Sequence, residues 1–149
     1  MIPVYAQEQP ASCVAACVRM VLAALDLHLA EQEIRTRCGQ TAVGLRLIDV
    51  AKGLSDLPVA VHVHTDWGMD DLRDEIRHSH YPIVGIDLRP IDGRFAYHAV
   101  VVVKIESDKV PVHDPEAGQG IRELNTTSFM DAWDGADRQV LMVTKKADS

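Results

Sequence analysis

Between Ser12 and Leu25 the chain is apolar on nearly every side except at Arg19. A helix with no polar face cannot lie on a surface, so this stretch must be wrapped by the rest of the molecule. A second run, Ala99-Val100-Val101-Val102-Val103, is short, β-branched and continuously apolar, the pattern of a strand covered on both faces. Neither run approaches the ~18 residues needed to span a bilayer, so no membrane insertion is expected.

Around these two runs the periodicity changes once. Glu31 to Cys38 reads as a short helix closed by Gly39, and Leu45 to about Lys52 as a third, stopped near Gly53. Val59 to His64 alternates as a strand does, whereas Asp70 to His80 has helical spacing and is ended by Tyr81-Pro82. Ile83 to Leu88, Tyr97 to Ile105, Val110 to His113 and Val140 to Thr144 read as strands. The stretch from Gly120 to Asp134 reads as irregular, with a short helix around Phe129 and Trp133. Helices first and strands later predict an α+β fold, N-terminal helices packed on a mostly antiparallel sheet. No repeat or linker divides the 149 residues, so one domain is expected over 1–149. A chain of this size buries enough surface to hold a core without staples.

The net charge of −7, with no basic cluster, argues against a nucleic-acid partner and against an anionic membrane surface. Three cysteines, an odd number, argue against a disulfide framework. Met1 to Pro10 has no basic then apolar signal pattern, so the expected location is cytoplasmic.

Four residues can carry chemistry. Cys13 follows Ser12, the expected N-cap, in the first turn of the buried helix, where free N–H groups and the helix dipole favour the thiolate. Gln7, six residues earlier and kept extended by Pro10, can aim its amide N–H at the same spot as the Cys13 backbone N–H; two such donors make an oxyanion hole. His98 opens the apolar strand, and Asp114, before Pro115, ends the next one, where its carboxylate can fix the tautomer of an imidazole. Singly, each has an ordinary reading: a small buried hydrophobe, a surface amide, a satisfied core histidine, a turn aspartate. His62, His64, His78 and His80 are conceivable metal ligands, but their spacing fits no recognised site and no metal is expected. The acidic group Asp70, Asp71, Asp74 and Glu75 reads as a solvated helix face, and Trp67 and Trp133 as core.

An early cysteine at a helix N-terminus, followed more than eighty residues later by His and then Asp on adjacent strands, is the chain order of papain-like cysteine peptidases. The papain signature Cys-Gly-Ser-Cys-Trp is absent. The sequence resembles the double-glycine leader peptidases, the bacteriocin-processing cysteine peptidases often fused in front of ABC exporters (cysteine-peptidase family thirty-nine). The resemblance runs through Gln7, Ser12-Cys13, Met20-Val21-Leu22, Thr41-Ala42-Val43-Gly44-Leu45, Leu72, Tyr81-Pro82-Ile83-Val84, His98 to Val102, Val112-His113-Asp114-Pro115, Gly118, Phe129 and Trp133.

The resemblance implies a papain-like fold and a cysteine peptidase that needs no cofactor. In it Cys13 takes the nucleophile's place, His98 the base's, Asp114 the orienter's and Gln7 the oxyanion donor's. It further implies a peptide or protein substrate cut after two small residues of a leader, and an ABC exporter encoded separately. Val14 stands where the family has glycine, and no transporter follows Ser149, so a stand-alone relative or an excised domain is expected. Two alternatives remain open: a papain-fold deamidase or acyl transferase toxin or effector acting on a partner protein, and a peptide-binding module without turnover.

Overall fold

The computed structural model describes residues 1–146; residues 147–149 of the expected unit lie outside the described residues. The all-round apolar stretch forms helix α1 (Cys13–Ala24), buried from Val14 to Ala23 except at Arg19. That one polar side chain lies over the Tyr5 ring at 3.9 Å and reaches Glu8 at 3.8 Å, on the side covered by the N-terminal segment. Next come α2 (Glu31–Cys38), a 3-10 turn (Leu47–Asp49), α3 (Val50–Gly53), β1 (Val59–His64) and α4 (Met69–Arg77). The rest is β2 (Ile83–Asp87), α5 (Arg89–Asp92), β3 (Tyr97–Val102), β4 (Lys109–Asp114), β5 (Gly120–Asn125), α6 (Thr126–Asp134) and β6 (Val140–Lys145).

The six strands form one sheet in the order β1-β6-β2-β3-β4-β5, antiparallel at every pairing. β3 is interior, and the two faces of the sheet explain its continuous apolar run. Ala99 and Val101 join the cluster around α1 and α2, whereas Val100 and Val102 join Phe129 and Trp133 of α6 and Leu72 of α4. Strict period-2 alternation thus feeds two cores rather than one core and water. β6 does the same, with Leu141 and Val143 on one side and Val140 and Met142 on the other.

The N-terminal segment is laced to the end of this sheet. The His113 Nδ1–H donates to Pro3 O at 3.1 Å, and the Gln7 N–H donates to Pro115 O at 2.7 Å. The next N–H, of Glu8, donates at 3.0 Å to Glu31 Oε1. Glu31 is fully buried on α2, and its other oxygen accepts from Arg35 Nε at 2.9 Å, so the carboxylate is satisfied on both sides.

Several boundaries differ from expectation. The third helix starts at Leu47, as a 3-10 turn, because Asp49 Oδ2 accepts the Arg46 N–H at 2.9 Å and closes the chain tightly there. α4 ends at Arg77, before Tyr81-Pro82, because the chain turns at His78 and passes through Ser79 at φ 60. The stretch expected to be irregular after Gly120 opens with β5, of whose residues only Leu124 is buried. α5 has no buried residue and left no apolar pattern to read. Ser12 sits at the N-cap but does not cap: its hydroxyl donates to Gln9 O and accepts from Gln9 N, both at 3.0 Å, closing the Gln9–Ser12 turn.

Candidate active site

Cys13, the first residue of α1, has a backbone N–H with no acceptor inside the helix. Cys13 lines a cleft of about 470 Å³ together with His98 and Ala99 of β3. Val14, Gly44, Arg46, Tyr97, Gly135 and Asp137 complete much of the wall. Val14 is 6% exposed and serves both the core and the cleft.

The His98 Nε2–H donates to Asp114 Oδ1 at 2.6 Å. Burial works against a charge on the imidazole, yet the hydrogen bond to Asp114 and the negative charges that Asp114 and the nearby Cys13 can hold carry its pKa from 6.5 up to about 9. Asp114 is 2% exposed. Burial raises its pKa, but the bonds from His98, from the Glu116 N–H at 2.9 Å and from Arg122 Nη1 at 3.1 Å outweigh it, so the carboxyl lies below its ordinary value. The site can therefore hold a protonated imidazole on a buried carboxylate, in the cleft that Cys13 also lines. Cys17, one turn deeper and fully buried, is pushed well up by burial and by the neighbouring Cys13 and Asp114 charges, which keeps it a thiol. Cys38 is raised by burial as well.

Gln7 is placed beside the strand end that carries Asp114 by its backbone bond to Pro115. Its side chain is turned into its own loop: Nε2 donates to Gln9 O at 2.9 Å and Pro10 O at 3.0 Å, while Oε1 is buried without a partner. Both amide hydrogens are thus occupied, and Gln7 does not line the cleft.

His62 and His64 share β1, and His78 and His80 share the turn after α4. His64 stacks on Trp67 with ring centroids 4.2 Å apart, His78 Nδ1 meets Asp74 O at 2.8 Å, and His80 Nδ1 meets Glu75 Oε2 at 2.7 Å. Among the described residues no group of three or more His, Cys, Asp or Glu side chains is gathered as a metal would require.

Arg122 escaped the sequence reading because β5 did. Asp114 pairs with Gly120 across the β4–β5 ladder, and Arg122 is the diagonal neighbour two residues on, within reach of a long side chain. The Gly135–Gln139 wall of the cleft was also unforeseen. It is braced by the fully buried Trp133, whose Nε1–H donates to Gln139 O at 3.2 Å.

Helices carrying a thiol, packed on an antiparallel sheet carrying an imidazole and a carboxylate, are the architecture of a cysteine-type peptidase. The chain belongs to the peptidase C39 family, whose sequence profile matches residues 1–148. Among solved structures it is similar to the peptidase domain of Streptococcus ComA, a bifunctional ABC transporter involved in a quorum-sensing pathway. That match has a TM-score of 0.80 at 14% identity and covers 98% of this chain and 100% of that one. A C39-like peptidase from Bacillus anthracis matches with a TM-score of 0.82 at 11% identity over 99% and 96% of the two chains. The double-glycine motif protease of an AMS/PCAT transporter, solved with its leader peptide, matches with a TM-score of 0.78 at 19% identity over 98% and 93%. At such identities the likeness is one of fold. No curated protein matches the sequence. No helix among the described residues is long and apolar enough to cross a membrane.

Proposed function

We propose that the chain hydrolyses a peptide bond through Cys13, His98 and Asp114, at the carboxyl side of two small residues in a leader peptide. The observation that supports this reading is that Cys13 and His98 line one cleft while the His98 Nε2–H is bound to the buried Asp114 carboxylate. His98 takes the Cys13 proton, and Asp114 stabilises and orients the imidazolium. The thiolate attacks the scissile carbonyl, and the developing oxyanion is held by the Cys13 backbone N–H. Gln7 is the second donor once its amide turns away from the Gln9 and Pro10 carbonyls. His98 then protonates the leaving amine, and water, activated by the imidazole, releases the acyl group and restores the thiol. The resemblance to transporter-borne peptidase domains supports a peptide cargo and an ABC exporter as partner.

The test is iodoacetamide at pH 6, where an activated thiolate reacts and an ordinary thiol hardly does. We expect the label on Cys13, with Cys17 and Cys38 unmodified, and we expect Cys13→Ala to abolish cleavage of a synthetic Gly-Gly leader peptide while the circular dichroism spectrum is kept. Labelling of Cys17 first would overturn the assignment.

A further inference from the structure

The charges around Asp114 close into a ring. Arg122 Nη1 donates to Asp114 Oδ2 at 3.1 Å while its Nη2 lies 3.8 Å from Asp92 Oδ2. Asp92 Oδ2 accepts from Arg94 Nη2 at 2.8 Å, and that same nitrogen donates to Glu116 Oε2 at 3.0 Å. The backbone N–H of Glu116 returns to Asp114 Oδ1 at 2.9 Å. α5 and the residues after it, the β4–β5 turn and β5 are thus tied together through one carboxylate that is 2% exposed. Arg122 is the one side chain among the described residues that hydrogen-bonds Oδ2; Oδ1 is shared by His98 and Glu116.

We propose that Arg122 is a positioning residue for the reaction: by pinning Oδ2 of Asp114 it aims Oδ1 at His98, and its charge offsets that of a carboxylate the imidazole needs close by. The inference rests on the proposed triad. A buried carboxylate oxygen left bare is costly, so without Arg122 the carboxylate rotates or draws water, and the bond to His98 loses its direction. The charge balance changes as well. Around His98 and Asp114 stand Cys13 and Cys17 from α1, Glu116 from the turn, Arg122 from β5, and, one step further out, Arg94 and Asp92. Removing the Arg122 cation leaves this set one charge more negative, which favours the imidazolium and disfavours the thiolate.

Two substrate-free measurements test this: the rate of Cys13 alkylation by iodoacetamide against pH, and the NMR signal of the His98 Nε2 proton. In Arg122→Gln we expect alkylation at pH 6 to slow by about tenfold. The hydrogen-bonded Nε2 proton signal of His98 should broaden or vanish, because the carboxylate that holds it has lost its second anchor. Arg122→Lys, which keeps the charge, should restore most of the rate. A merely structural arginine would lower the unfolding midpoint and leave the alkylation profile and the Nε2 proton where they were; that outcome overturns the proposal. If Arg122→Gln does not fold, Arg94→Gln opens the same ring at its exposed side and should change both readouts in the same direction by less; unmoved readouts there count against the ring. Parent Cys13 alkylating no faster at pH 6 than an unfolded cysteine would instead sink the triad itself, so the two failures are distinguishable.

Discussion

His98 carries the clearest electrostatic signature in the molecule. Because its folded pKa of about 9 lies above the ordinary 6.5, the imidazolium contributes stability that is complete below pH 6.5 and is lost as pH rises through 9. We expect the imidazole resonances to titrate near 9 in the intact protein and near the ordinary value in Asp114→Asn, by NMR. A parent value at 6.5 would mean that Asp114 and Cys13 do not hold the charge. Gln7 makes a different kind of claim, since an oxyanion donor acts where charge develops. Gln7→Ala should lower kcat by roughly 10²–10³-fold with a smaller change in KM. Its present partners are carbonyls in an exposed turn, which water can serve, so the unfolding midpoint should hardly move. A variant with full kcat would remove Gln7 from the oxyanion site. Cys13, His98 and Asp114 could be picked out as candidates from the sequence because each position has a local cause: a helix start, a strand start, a strand end. Which way the Gln7 amide turns had no such cause.

At the scale of elements, the cleft depends on turns that only certain residues permit. Gly44 has φ +107, and a Cβ there would stand 2.8 Å from Ala11 O, just before the nucleophile's helix. The Thr41–Gly44 turn is closed by Thr41 N to Gly44 O at 3.3 Å and Gly44 N to Thr41 O at 3.0 Å, so it cannot easily give way. We expect Gly44→Ala to cost about 1–3 kcal/mol of stability, measured by urea unfolding, and to raise KM more than it lowers kcat. Unchanged kinetics would show that this turn does not shape the cleft. Elements with a strong apolar period, such as α1 and β3, were readable; β5 and α5 were not. An edge strand held by its backbone ladder and a four-residue helix with no buried face write almost no hydrophobic pattern.

For the molecule as a whole, the substrate preference tests how the cleft is assembled from distant segments. Its walls bring Val14, Gly44, Ala99 and Gly135 round the thiol and leave about 470 Å³. In a peptide cut after Gly-Gly or Gly-Ala, replacing the second small residue by Leu should cost more than the ~1–3 kcal/mol of a methylene misfit in an apolar pocket. A peptide library showing a preference for large residues there would keep the thiol mechanism and remove the leader specificity. By itself the sequence determined the buried first helix, five of the six strands after it, and the chain order of thiol, imidazole and carboxylate. These follow from periodicity and from the ends of elements, which neighbouring residues dictate. Only the tertiary structure decided that Arg122, Asp92, Arg94 and Glu116 close a ring on Asp114, that Glu31 and Pro115 clamp the segment bearing Gln7, and that the Gln7 amide faces its own loop. Long side chains find such partners through strand register and desolvation between segments far apart in the chain, and no local pattern encodes that choice.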